Sequence, residues 1–155
     1  MPQRDTIHQA VKQALVRDHW QITDDPYVIV FGERFLFVDL GAEAVQSPER
    51  ATGNFIGAER DGVRIAVEIK EMRGQSPIVE LEQAIGQYIL YRLLLHQVDP
   101  GREVYLAIPD NAYRELFSEP IGELVIRDLP LQLLVVDVVN EEVNQWIPRR
   151  PIGKP

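Results

Sequence analysis

Cysteine is absent from the 155-residue chain, which excludes disulfide bonds and thiolate metal sites and is typical of a reducing compartment. No apolar run is long enough to span a bilayer, and no apolar stretch of a signal peptide follows the first five residues. We therefore expect a cytoplasmic protein with no membrane segment. Positive charge is also scarce, because 16 Lys and Arg stand against 24 Asp and Glu, for a net charge of −8. Since proteins that hold nucleic acid over a broad surface are normally basic, any DNA contact should be weak or local.

The pattern of turn signals and apolar periodicity predicts one α/β domain over residues 2–147, with a mixed sheet flanked by helices, and a disordered tail over residues 148–155. Residues 41–57 read as a mobile loop, and residues 121–126 are ambiguous between helix and strand. The predicted helices are residues 5–20, 78–97 and 110–117, the last capped by Asp110. The predicted strands are residues 20–23, 27–31, 34–40, 54–60, 63–70, 103–108, 131–137 and 143–147, the last an antiparallel edge.

The helix over residues 78–97 has the clearest start and stop signals, with Ser76 as its cap, Pro77 in its first turn and Asp99-Pro100-Gly101 after its end. Its predicted apolar face comprises Ile78, Leu81, Ile85, Tyr88, Ile89, Leu93 and Leu94.

The strand from Val63 to Lys70 alternates with period 2, and a two-residue hairpin signal, Asp61-Gly62, precedes it. Residues two apart on a strand share a face, so Glu68 and Lys70 project together. An acid and an amine on an otherwise apolar strand are costly to bury and need a partner or a function. The alternative is an ion pair on a solvated face.

A second acid, Asp39, lies late in the strand predicted over residues 34–40 and shares a face with Phe35 and Phe37. Both faces of this strand are apolar, which predicts an interior strand of the sheet. Asp39 needs compensation in such surroundings. The alternative is that its side chain caps the turn at Leu40-Gly41.

The separation of Asp39 from Glu68-Ile69-Lys70 resembles the PD-(D/E)xK nuclease superfamily, which has a restriction-endonuclease-like fold. The resemblance implies that the two strands are adjacent and that their carboxylates converge on Mg²⁺ or Mn²⁺, with the carbonyl of Ile69 as a third ligand. Carboxylates are the hard oxygen ligands that such a metal prefers, and the metal would lower the pKa of a bound water. Lys70 would position or activate that water.

Gln87 and Tyr91, four residues apart on the helix after Lys70, resemble the Gln-x-x-x-Tyr element of one branch of that superfamily. The resemblance places them near the DNA backbone and the metal. The alternative is that both are ordinary helix-surface residues. Superfamily members often carry an acid on the first helix, where this chain has Asp5, His8 and Gln9. His8 reads as a surface histidine, so a complete two-metal site is not predicted.

At the level of the whole chain, six segments resemble the XisH family, the fdxN element excision controlling factors of cyanobacteria. These segments are residues 5–12, 38–43, 66–70, 81–88, 106–109 and 117–122. The resemblance implies a role in site-specific DNA excision during heterocyst differentiation, alongside a site-specific recombinase and a small partner, XisI. It does not establish that the family cuts DNA.

Two functions therefore stay open. The first is a metal-dependent endonuclease, favoured by the set of Asp39, Glu68 and Lys70. The second is a catalytically silent nuclease-fold protein that regulates recombination by binding a XisI-like partner or DNA, favoured by the acidic net charge. Homo-oligomerisation is compatible with both. Basic residues for a local DNA contact are Lys12, Arg34, Arg64, Lys70 and Arg73.

Overall fold

The computed structural model describes residues 3–32, 34–36, 55–73, 76–129 and 131–149. Within them lie four helices and eight strands, numbered in chain order. The helices are α1 (Gln3–Arg17), α2 (Pro77–Val98), α3 (Asp110–Leu116) and α4 (Pro120–Asp128). The strands are β1 (Gln21–Asp24), β2 (Ile29–Phe31), β3 (Arg34–Leu36), β4 (Phe55–Arg60), β5 (Val63–Ile69), β6 (Arg102–Pro109), β7 (Leu133–Asp137) and β8 (Glu142–Ile147).

Six of these strands form one mixed sheet in the order β1-β4-β5-β6-β7-β8. The central strands β5, β6 and β7 are parallel, while β1, β4 and β8 pair antiparallel with their neighbours. The helices α2, α3 and α4 follow β5 and β6 as crossover connections, as parallel strands require. The predicted mixed sheet flanked by helices is confirmed.

Two hydrophobic cores cover the two faces of this sheet. One core joins β5, β6 and β7 to α2, α3 and β2, and includes Ala66, Tyr88 and Leu106. The other joins the same strands to α1 and β8, and includes Ile65, Val67 and Trp146. The alternation predicted for β5 is therefore confirmed, because its β-branched residues pack under α1 and the opposite set faces α2.

Local sequence signals explain the best predicted elements. Ser76 caps α2, where its side chain accepts a hydrogen bond from the backbone N–H of Val79 at 3.4 Å, and Pro77 occupies the first turn. Asp61 and Gly62 both have positive φ, +53° and +83°, as the tight hairpin between β4 and β5 requires. The strands predicted over residues 27–31 and 34–40 are present, as far as they are described, as β2 and β3, which pair antiparallel in a hairpin.

One topological prediction is wrong. In the described residues β3 pairs with β2 in a separate two-stranded sheet, so it is not an interior strand of the main sheet. Both edges of β5 are already paired, with β4 and with β6, so the strand that precedes Asp39 is not its neighbour. The hairpin at Asp61-Gly62 forms the local antiparallel pair and leaves no edge of β5 for β3.

The predicted apolar face of α2 is also partly wrong. Ile78 and Leu93 are 40% and 63% exposed, whereas Ala84, Tyr91 and Leu95 are buried. Apolar residues surround this helix on all sides, so their periodicity does not single out the face that packs on the sheet.

The remaining local predictions have mixed outcomes. Residues 121–126 are helical within α4, and β8 is the predicted antiparallel edge. The cap of α3 is Pro109, and Asp110 is the first residue of the helix rather than its cap. Residues 55–57 belong to β4, so the loop predicted over residues 41–57 is wrong there, and the predictions for residues 37–54 and 150–155 lie outside the described residues. Among the described helices, none combines the length and apolarity needed to cross a membrane.

Candidate functional site

Glu68 lies at the penultimate position of β5, in register with Phe55 of β4 and Leu106 of β6. It shares the sheet face of Ala66, which packs toward α2. Its side chain is fully buried, with no measurable exposure. The strand therefore holds a carboxylic acid inside the protein, where an ionised group is stable only with compensating charge or hydrogen bonds.

Lys70 follows β5 directly, and its side chain is partly exposed to solvent. Its backbone N–H donates to the carbonyl of Ala107 at 2.9 Å, which fixes the residue against β6. Its Nζ lies 3.5 Å from Oε2 of Glu68, and its side chain is 23% exposed while that of Glu68 is not exposed at all. The two residues converge as predicted, with the acid inside and the amine at the opening. The alternative of a solvated surface pair is wrong.

Gln87 and Tyr91 lie on α2, which covers this face of the sheet. Tyr91 is 1% exposed and belongs to the core beneath α2, and Gln87 is half-buried. Oε1 of Gln87 is buried and makes no hydrogen bond to any described residue. Neither residue is an ordinary surface residue, so that alternative is wrong. Gln87 brings an available acceptor to the inner side of the helix.

The oxygen donors that a divalent metal would need are described only in part. Among the described residues no group of three His, Asp or Glu side chains is close enough to hold a metal ion. Glu68 provides one hard carboxylate, of the type that Mg²⁺ and Mn²⁺ prefer. Asp39 lies outside the described residues, so its approach to Glu68 stays a prediction.

A second polar cluster, which the sequence did not predict, joins α1 to the turn after β1. His8 is 6% exposed, so its reading as a surface histidine is wrong. Its Nε2 lies 2.8 Å from Oδ1 of Asp25, and Nζ of Lys12 donates to Oδ2 of Asp25 at 2.8 Å. Burial would raise the pKa of Asp25, but the hydrogen bonds and charges of His8 and Lys12 outweigh it and lower the pKa to about 2. The only signal in the sequence was the spacing of His8 and Lys12 on one helix face.

The side chain of Arg34 lies outside the described part of the chain, and the other four basic residues predicted to line a DNA contact do not form one surface. Arg64 binds Asp99 at 2.6 Å at the opposite end of β5, and Lys12 binds Asp25. Arg73 lies near Lys70 in sequence. It lines a cavity of about 420 Å³ where β6 ends, and the other residues that line this cavity are Thr6, Ile7, Glu71, Pro109, Asn111 and Val138. Lys70 and Arg73 therefore stay at the end of the sheet that holds Glu68.

Fold and site together define a mixed α/β protein whose central parallel strands end at a buried acid beside an amine. The family model described as XisH protein matches residues 1–144, and the chain belongs to the XisH family.

Two crystal structures are similar to this chain. One is of a fdxN element excision controlling factor protein from Anabaena variabilis, which is 39% identical, with a TM-score of 0.78 over 93% of this chain and 99% of that chain. The other is of an XisH family protein from Nostoc punctiforme PCC 73102, which is 36% identical, with a TM-score of 0.77 over 92% of this chain and 98% of that chain. No curated protein matches the sequence.

Proposed function

We propose that this XisH family member acts in site-specific DNA excision as a metal-dependent endonuclease with a PD-(D/E)xK nuclease-like fold. The observation that carries the proposal is the fully buried carboxylate of Glu68, 3.5 Å from the partly exposed amine of Lys70 at the end of β5. A protein rarely keeps an acid wholly inside an apolar strand for stability alone, because desolvation of the charge opposes folding. Buried acids beside an opening are common where chemistry requires them.

In this proposal Asp39, Glu68 and the carbonyl of Ile69 would hold Mg²⁺ or Mn²⁺, which would neutralise charge at a phosphate and lower the pKa of a bound water. Lys70 places its ammonium at the opening, where it orients the attacking water and offsets negative charge on the phosphate. The side-chain amide N–H of Gln87 would donate to a phosphate oxygen of the DNA backbone. Tyr91 fixes the inner side of α2 and so the placement of Gln87.

The test is cleavage of supercoiled, linear duplex and branched DNA by the purified chain with Mg²⁺, with Mn²⁺ and with EDTA. Lys70→Ala should lower the cleavage rate by at least about 100-fold, because it removes a preorganised positive charge at the reacting phosphate. Lys12→Ala is the matched control, since it removes an amine on the other face of the sheet. Equal rates for wild type and Lys70→Ala on every substrate would place catalysis elsewhere.

A second candidate is a catalytically silent regulator that binds a XisI-like partner or a recombinase. The acidic net charge of −8 favours it, because such a chain gains little DNA affinity from counterion release. Gel shift and size exclusion separate the two candidates. The regulator should bind duplex DNA weakly, lose that binding steeply with salt and elute as a defined complex with XisI. Tight, salt-resistant DNA binding without such a complex would favour the enzyme.

A further inference from the structure

The outward side of α2 exposes apolar side chains. Val79 and Leu90 are each 47% exposed and Leu93 is 63% exposed. A helix with apolar residues on all sides is normally covered on all sides. The sheet covers one side of α2, and the opposite side has no cover from the described residues.

Gly86 lies in the middle of this exposed stripe. Glycine in a helix interior is unfavourable relative to alanine. A Cβ placed at Gly86 would meet no atom within 4 Å, so packing within the chain does not require glycine there. The missing side chain instead lets another backbone approach the helix closely at this point.

The stripe is symmetric about Gly86. Val79 lies seven residues before it and Leu93 seven residues after it. At about 100° per residue, all three share one side of the helix. If a second α2 crosses antiparallel with Gly86 against Gly86, Val79 of each copy meets Leu93 of the other.

Charge on one flank of the stripe is complementary to itself under this operation. Glu82 lies on this flank before Gly86, and Arg92 and His96 lie on it after Gly86. A two-fold axis between two antiparallel helices brings the same flank of both copies together, and the two flanks run in opposite directions. In this arrangement Glu82 of one copy lies near Arg92 of the other. The same arrangement brings the exposed Ile78 of one copy to a cavity of about 750 Å³ that lies beside Arg92 and Leu93 of the other copy.

We propose that the exposed side of α2 is a homodimer interface, and that its occupant is α2 of a second copy, antiparallel about Gly86. The 22-residue helix is about 33 Å long, so this contact is smaller than a standard interface of about 800 Å² per partner. We therefore expect a reversible dimer that forms with rising protein concentration.

Sedimentation velocity of the full chain from about 1 to 200 µM tests the proposal. Wild type should pass from monomer to dimer over this range. Gly86→Gln should remain monomeric and should melt at the same or a higher temperature than the wild-type monomer, because glutamine favours a helix more than glycine does. Leu93→Asp should also be monomeric. Val139→Asp, at a 91% exposed residue in the turn between β7 and β8, is the control and should dimerise like wild type.

Charge reversal tests the direction of the pairing. Glu82→Arg and Arg92→Glu should each weaken the dimer at least about fivefold, and the double variant should recover most of the loss. A wild-type chain that stays monomeric throughout the range would overturn the proposal. A dimer that persists in Gly86→Gln would overturn it as well, since the contact would then lie on another surface.

Discussion

The two ends of β5 hold charge in different ways. Near its start, Asp18 binds Nη1 of Arg60 at 2.8 Å and Nε1 of Trp20 at 3.0 Å. At its end, Glu68 lies 3.5 Å from Lys70. Both acids are buried, at 3% and 0% exposure, but Arg60 is itself largely covered while Lys70 reaches solvent. Asp18 therefore has a cationic partner that is largely covered, whereas the cationic partner of Glu68 reaches solvent, and the proposed function concerns only the second acid.

The largest effect that tests this comparison is expected from Asp18→Asn. The variant removes the buried carboxylate that binds the largely covered guanidinium of Arg60 at 2.8 Å, which costs about 3–5 kcal/mol in the free energy of unfolding. For a chain of this size the melting temperature should fall by roughly 10 °C. Thermal and urea unfolding at pH 7 measure it. Asp61→Asn is the control, because it removes an exposed acid that lies 4.0 Å from Nε of Arg60 and should change the free energy of unfolding by less than about 1 kcal/mol.

A smaller loss of stability is expected when acid protonates Asp25, a partly exposed residue that lies between His8 and Lys12. Its pKa of about 2 lies below the ordinary value of 3.8, so its contribution to stability is present above about pH 4 and is lost as the pH falls through 2. After screening by solvent this contribution is about 1 kcal/mol. Urea unfolding at pH 5 and pH 2.5 should therefore show a smaller acid-induced loss in Asp25→Asn than in wild type. Parallel curves for the two proteins would contradict this.

The smallest change in stability is expected from Glu68→Gln. Removal of the charge spares the cost of burying it, so the free energy of unfolding should change by less than about 1 kcal/mol or rise. Cleavage of DNA should nevertheless be lost. Unfolding and cleavage assays on the same preparation measure both. A loss of stability as large as that of Asp18→Asn would show that Glu68 serves the fold, and the contrast between the two ends of β5 would fail.

Local signals in the sequence were sufficient to predict β5 and the start of α2. Alternation predicts which residues of β5 share a face, and Asp61-Gly62 predicts the hairpin that pairs β4 with β5, because both depend on neighbours in the chain. The convergence of Glu68 and Lys70 follows from the same alternation.

The failures depend on distant contacts. The exclusion of β3 from the main sheet depends on which strands occupy the edges of β5, and strand pairing across the fold leaves no local signal. The burial of His8 depends on Asp25, which is 17 residues away. The inner side of α2 could not be predicted because apolar residues surround the helix. The approach of Asp39 to Glu68 stays a prediction.

The packing of α1 links the first described residues to the last strands. Its core residues lie against Leu134, Val136 and Trp146, and Nη1 of Arg17 donates to the carbonyl of Asn140 at 2.7 Å. During synthesis on the ribosome α1 emerges before β7 and β8, which follow more than a hundred residues later in the chain. The apolar side of α1 is therefore fully covered only after β7 and β8 have been synthesised, and until then it is exposed.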